Sequence, residues 1–376
     1  MPITRRTALG AVLAAAALPR MARAAEPVLL GVSGPLTGPN AQYGAQWRQG
    51  FDLALGEVGG VVGLDKRALQ YVFEDSQSDP RQAVAIAQKF VADPRIVMEL
   101  GDFSSPASMA ASPIYQRAGL VQFGFTNSHP DFTKGGDFMW TNSLSQSDEQ
   151  PKLAEFCQKL GLKRIAVIHL NTDWGRTSRD ILVASAKADG IEAAAVEGFL
   201  PDEKDFRPTL VRVRDSNPDG IVLIAYYSDA ALIARQIRQQ GLRQTVVGVS
   251  SVYSPKLIEL GGEAVEGMYT QSAFSPDDPR PEVRAFVGRF QAKYGREPDY
   301  FNVAAYDTMI LAHALIGQFG ADRRAIQAGL SKVKAPSVVF GTAEFDPVTR
   351  RVNRPSYTRL VVRGGRFVVW DGQSRA

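Results

Sequence analysis

Ile96-Val97-Met98-Glu99-Leu100-Gly101-Asp102-Phe103-Ser104-Ser105-Pro106-Ala107-Ser108 is the stretch whose reading decides the fold. Residues 96–100 form a strand-like apolar run. Ser105 then stands as a helix N-cap, with Pro106 at the first helical position. A strand that runs straight into a helix is the opening of a βαβ unit, and such units build parallel sheets. The same succession recurs along the chain. Strand-like runs at 28–33, 69–74, 96–100 and 120–123 alternate with helical patterns at 41–58 and 80–91. The pattern restarts after residue 145. Strands are expected at 164–169, 193–199, 221–225 and 245–249, with helices at 173–189, 204–215 and 228–240. Two series predict an α/β protein of two doubly wound parallel-sheet lobes. The C-terminal third differs, with helices at 281–294, 301–319 and 322–331, then short strands at 338–340, 357–362 and 366–370. Three helices in succession cannot finish a βαβ lobe. They are expected to return to lobe one, and the last strands to lobe two.

The chain has 376 residues, 45% of them hydrophobic, with 43 Lys plus Arg against 39 Asp plus Glu. That is enough apolar material for two cores and excludes a disordered chain. The first 24 residues read as a secretory signal peptide of twin-arginine type. Arg5-Arg6 precedes a short run of small and apolar residues from Ala8 to Leu18, and Ala22-Arg23-Ala24 supplies a small-x-small cleavage pattern. The run is too short to span a bilayer, which needs ~20 residues. Ala8 stands where the twin-arginine motif prefers a large apolar residue, so the general secretory route stays open. Residues 1–24 hold four arginines and no acid, so 39 basic residues remain against 39 acidic ones. The exported chain is electrically balanced, and no electrostatic case for nucleic acid survives. One cysteine, Cys157, in a helical pattern, allows no intrachain disulfide. A periplasmic monomer is expected.

The chain lacks a phosphate loop, a dinucleotide fingerprint and a nucleophile elbow. Its three histidines, His129, His169 and His313, share no metal-ligand spacing. No cofactor, no metal and no catalytic residue is expected. A secreted α/β hydrolase is the competing class, but the histidines offer no evident base.

What remains is a set of polar and aromatic residues at the C-terminal ends of strands, where open α/β sheets bind ligands. Ser105, with the amides of Ala107 and Ser108 behind it, is placed to favour an anion such as a carboxylate. Thr126 and Ser128 follow the strand at 120–123. Trp174 follows 164–169, Tyr226 follows 221–225, and Ser250 follows 245–249. Tyr43 lies in the first strand-to-helix connection, and Phe103 in the loop quoted above.

From about residue 28 to 370 the chain resembles the periplasmic leucine/isoleucine/valine-binding protein family of type I solute receptors. The resemblance rests on Gly31 to Gly38, Gln42-Tyr43-Gly44, Glu74-Asp75 to Asp79-Pro80, Ser104-Ser105, Gly261 to Glu266-Gly267 and Tyr306-Asp307, all in order. It implies two lobes joined by three crossovers, near 142–147, 271–276 and 345–355. Residues 25–145 plus 275–348 would form lobe one, and 146–274 plus 349–376 lobe two. It implies hinge closure on a small ligand and delivery to an inner-membrane ABC permease; a sensor of the same fold is the alternative. By the resemblance, Ser105, Thr126 and Ser128 hold the ligand's carboxylate, while Tyr43, Trp174, Tyr226 and Phe301 line the cleft. One departure stands out. The family's amino-acid binders place a Glu where this chain has Ser250, and that Glu holds the ligand's ammonium. Either Asp229, Asp102 or Asp173 serves instead, or the ligand has no ammonium. A small carboxylate without an ammonium, such as an aromatic acid, is therefore expected, with a true amino acid or an amide as the alternative.

Overall fold

The computed structural model describes residues 26–63, 66–352 and 357–372. The expected signal peptide lies outside the described residues. Lobe one starts with β1 (Val28–Gly34), α1 (Ala41–Glu57), β2 (Val61–Val62) and β3 (Arg67–Asp75). It continues with α2 (Pro80–Ala92), β4 (Ile96–Gly101), α3 (Ser105–Ala118), β5 (Val121–Gly124) and β6 (Met139–Thr141). The sheet order is β2-β3-β1-β4-β5-β6, and only the β2–β3 pair is antiparallel. β1 and β4 are buried along their whole lengths. A parallel sheet covered by helices on both faces favours such largely apolar runs, and β4 holds the buried Glu99 among them.

Lobe two holds α4 (Gln146–Lys159), β7 (Arg164–Leu170), α5 (Asp173–Ala188), β8 (Glu192–Phe199), α6 (Arg207–Asp215) and β9 (Gly220–Ile224). α7 (Tyr227–Gln239), β10 (Thr245–Gly248), α8 (Pro255–Gly261) and β11 (Tyr269–Ser272) follow. The chain then returns with α9 (Pro281–Tyr294), α10 (Tyr300–Phe319), α11 (Arg323–Leu330) and the hairpin β12 (Ala335–Ser337)–β13 (Gly341–Ala343). Last come β14 (Thr358–Arg363) and β15 (Arg366–Val369). The second sheet runs β15-β14-β11-β10-β9-β7-β8, with β14 and β15 antiparallel at its edge. The three returning helices do close lobe one. α10 lies along α1, where Asn302 Nδ2 donates to Gln46 O at 2.9 Å and Tyr306 Oη to Glu57 Oε2 at 2.6 Å. Between the two sheets the chain passes three times: after Thr141, after Ser272 and after Ala343.

Two expectations need correction. Residues 338–340 are not a strand. The buried Asp307 carboxylate accepts from Ser337 Oγ (2.5 Å), Val338 N (2.8 Å) and Val339 N (3.0 Å), taking the amides that a ladder would use. The segment becomes the turn between β12 and β13. Ser105 is not the N-cap of α3. Ser104 caps the helix, Ser105 is its first residue, and Pro106 falls at the second. Both registers suit Ser-Ser-Pro, because Pro is tolerated throughout a first turn. The Ser108 amide is taken by Ser104 O at 2.9 Å, so Ser105 and Ala107 carry the amides outside the helical ladder. β6, β11 and α8, of three, four and seven residues, carry too little periodicity to read from sequence.

Candidate functional site

The strand ends of the two sheets face each other across a narrow crevice. Its lining comes from both lobes and from the crossovers: Phe103, Thr126 and Ser128 from lobe one, Trp174, Tyr226 and Ser250 from lobe two, and Phe301 from α10. These are seven of the nine residues singled out above. Tyr43 and Ser105 do not line the crevice. Tyr43 is fully buried one layer behind it, its ring stacked on Phe103 at 3.9 Å and 19°. Ser105, 1% exposed, is sunk at the start of α3.

The same local device places an aromatic ring in each lobe. Tyr43-Gly44 and Trp174-Gly175 both sit in the first turn of the helix that follows the lobe's first strand. A Cβ on Gly44 would stand 1.9 Å from Pro35 O, and one on Gly175 would stand 1.9 Å from Leu170 O. Only glycine lets the helix come that close to the preceding backbone. The close approach at Gly175 sets the Trp174 ring against the cleft, and the one at Gly44 seats Tyr43 behind Phe103.

Several hydrogen bonds tie the lobes together, among them those of Tyr43, Tyr227 and Trp174. Tyr43 Oη donates to Ser251 O at 2.6 Å and accepts from Tyr227 N at 3.3 Å. Tyr227 Oη donates to Pro39 O at 2.7 Å. Trp174 Nε1 donates to Ser128 Oγ at 2.9 Å, and the Trp174 ring stacks on Tyr226 at 4.9 Å. With Tyr43 at 4.5 Å from Phe301, and Phe103 at 5.0 Å from Tyr226, the rings form one continuous aromatic wall. This is the closed arrangement of a two-lobed receptor.

Polar groups at the lobe-one strand ends fall into two kinds. One kind is joined in a buried network. Ser33 Oγ donates to Asp102 Oδ2 (2.8 Å), Asp102 N donates to Ser108 Oγ (2.9 Å), and Asn127 Nδ2 donates to Ser108 Oγ (3.0 Å). Above it, Thr126 Oγ1 and Ser105 Oγ are buried with no partner. An unmade hydrogen bond at such an atom costs about 1–3 kcal/mol, and native structures seldom leave one without a reason.

The acids expected as alternative ammonium partners are elsewhere. Asp102 is bound into the network beneath the strand ends, burial holding its carboxyl at about 6. Asp229, pushed up to about 6 by burial, lies in a separate opening with Asp202 and Ser104. The Asp173 side chain is 56% exposed and faces His129 at 3.3 Å. None of the three lines the crevice. Glu149 does, with Ser143, Leu144, Ser251 and Tyr300, none of them among the nine. Glu149 stands in the first turn of α4, 3% exposed, its Oε1 accepting from Ser250 N at 2.7 Å. Burial raises its carboxyl above the usual carboxylate range. Acids are common in first turns because they suit the helix dipole, so nothing in the sequence marks this one as different. Among the described residues no group of three or more His, Cys, Asp or Glu could hold a metal ion. None of their helices is long and apolar enough to cross a membrane.

A family model described as periplasmic binding protein matches residues 27–366. The chain is similar to Leu/Ile/Val-binding protein homolog 1 of Brucella suis, 28% identical over 347 residues, covering 91% of this chain and 92% of that one. It is 35% identical to a putative branched-chain amino acid ABC transporter protein from Rhodospirillum rubrum, covering 92% of this chain and all of that one, with a TM-score of 0.66. A leucine-binding protein from Thermotoga maritima is 25% identical, covers 91% of this chain and 97% of its own, and superposes with a TM-score of 0.86. The chain belongs to the periplasmic binding protein family, among the solute-binding proteins of branched-chain amino acid-type transporters.

Proposed function

We propose that this protein works in the periplasm as the capture component of an ABC importer, closing on a small carboxylate with an apolar body. One observation carries the ligand class: Thr126 Oγ1, in the crevice, and Ser105 Oγ, at the neighbouring strand end, are buried without partners. With the free amides of Ser105 and Ala107 at the N-terminus of α3, they make a neutral donor set suited to an anion. The lining holds no Lys, Arg or His that would do the task by charge. Phe103, Trp174, Tyr226 and Phe301 supply the walls for the body of the ligand. Closure excludes water and joins the lobes; the closed form is what a permease would recognise. Residues 1–24 would direct export and be removed after Ala24, which the mass of the periplasmic protein would test.

A thermal-shift screen tests the ligand class, using branched-chain amino acids, aliphatic amides and aromatic carboxylates. A ligand present at about 100 times its dissociation constant adds about 2.7 kcal/mol of stability. Carboxylates should raise the melting temperature, and the matching primary amides should not. Equal stabilisation by the amides would overturn the carboxylate reading.

A further inference from the structure

Glu149 is the one carboxylate among the groups that line the crevice, and no basic side chain lines it. Among the described residues no ion pair includes it. Its backbone is pinned from two sides: its N–H donates to Ser145 O at 2.9 Å, and its carbonyl accepts from Gln271 Nε2 at 2.8 Å. Its side chain reaches Ser250 N, just past the end of β10. A carboxylate from α4 is thus delivered to the strand end where the chain itself has only Ser250. A buried carboxylate with an amide donor but no cation is a costly state for a protein to keep. It is also a charge filter, because a second anion entering a dehydrated crevice beside it is repelled unless it brings a donor of its own.

We propose that Glu149 is the specificity-determining residue of this site: it accepts from an N–H or O–H group that the ligand carries in addition to its carboxylate, so that such bifunctional acids are preferred over bare ones. The ammonium of an amino acid and the hydroxyl of a hydroxy acid share this chemistry. The inference rests on the carboxylate reading above. It reverses what Ser250 alone would suggest, since the missing acid is replaced from another element.

Calorimetric titration of the purified protein and of Glu149→Gln with two matched pairs tests it: leucine against 4-methylpentanoate, and 4-hydroxybenzoate against benzoate. In at least one pair the donor-bearing member should bind wild type about tenfold tighter or better. Glu149→Gln should bring that ratio below about threefold while the bare acid binds as before or more tightly. Glu149→Asp, which keeps the charge on a shorter arm, should give an intermediate ratio. The pair that shows the preference identifies the donor as ammonium or hydroxyl. A ratio that Glu149→Gln leaves unchanged overturns the proposal. So does a ratio near one for both pairs in wild type while the bare acids bind. If none of the four acids binds wild type, the carboxylate reading itself fails and takes this inference with it.

Discussion

The two walls of the crevice are built on opposite plans. On lobe one, Thr126 and Ser105 rest on a wired foundation: Ser33, Asp102, Ser108 and Asn127 are joined by buried hydrogen bonds, and Ser112 and Gln122 extend them at 2.6 Å. On lobe two, the wall is Trp174, Tyr226, Ser250 and Glu149, and the bonds that Trp174 and Tyr227 make with side chains or loops of the other wall exist only while the lobes are together. A buried network of hydrogen bonds stiffens its surroundings and fixes the aim of the groups above it. Lobe one is therefore the preorganised half, to which the proposed function assigns the carboxylate. Lobe two is the half that arrives, and its contribution is counted in closure.

The division can be broken from the lobe-one side first, where the largest effect is expected. Ser105→Ala and Thr126→Val should each cost about 1–3 kcal/mol of carboxylate affinity, and the double variant about a hundredfold or more in Kd. Unchanged affinity in both single variants would remove the donors from lobe one. Next, Trp174→Ala deletes the stack on Tyr226 and the bond to Ser128, and should weaken binding by about 1–2 kcal/mol. Its signature is faster ligand release, measured by stopped flow, because it loosens the closed form. Tyr43→Phe keeps the ring against Phe103 and removes the hydroxyl's two bonds, to Ser251 O and from Tyr227 N. A loss of about 1 kcal/mol in affinity is expected, with the ligand-free melting temperature nearly unchanged.

The smallest effect concerns pH. Burial raises the Glu149 carboxyl above its unfolded value, so the folded state binds the extra proton. Its stabilising contribution is complete below the ordinary Glu range and is lost as pH rises through the raised value. In ligand-free protein, wild type should therefore lose stability relative to Glu149→Gln as pH rises from the ordinary Glu range through the raised value. A pH-independent difference in melting temperature would show that Glu149 does not titrate with folding.

Most of the lining was legible in the sequence because it follows one rule. Phe103, Thr126, Trp174, Tyr226 and Ser250 come just after apolar runs, and a parallel sheet sends all such positions to one edge. Two kinds of information were out of reach. Ser104-Ser105-Pro106 fits either of two helix registers, and the choice depends on how α3 packs. Glu149 lies on a helix that follows a crossover, so its arrival beside Ser250, 101 positions away, is set by the path between lobes. Residues 338–340 failed for a third reason: a buried acid on α10 captured their amides, and no local pattern announces that.

The indole that spans the cleft also makes the molecule its own optical gauge. Trp47 and Trp140 are buried within lobe one, at 0% and 3% exposure, and opening leaves their surroundings alone. Trp174 alone of these three changes neighbours when the lobes part, losing Ser128 to water. Ligand capture should then blue-shift the emission of the unlabelled protein, and Trp174→Phe should abolish the shift while the other tryptophans keep glowing. The same residue that fastens the lobes thus supplies the signal by which their opening can be timed.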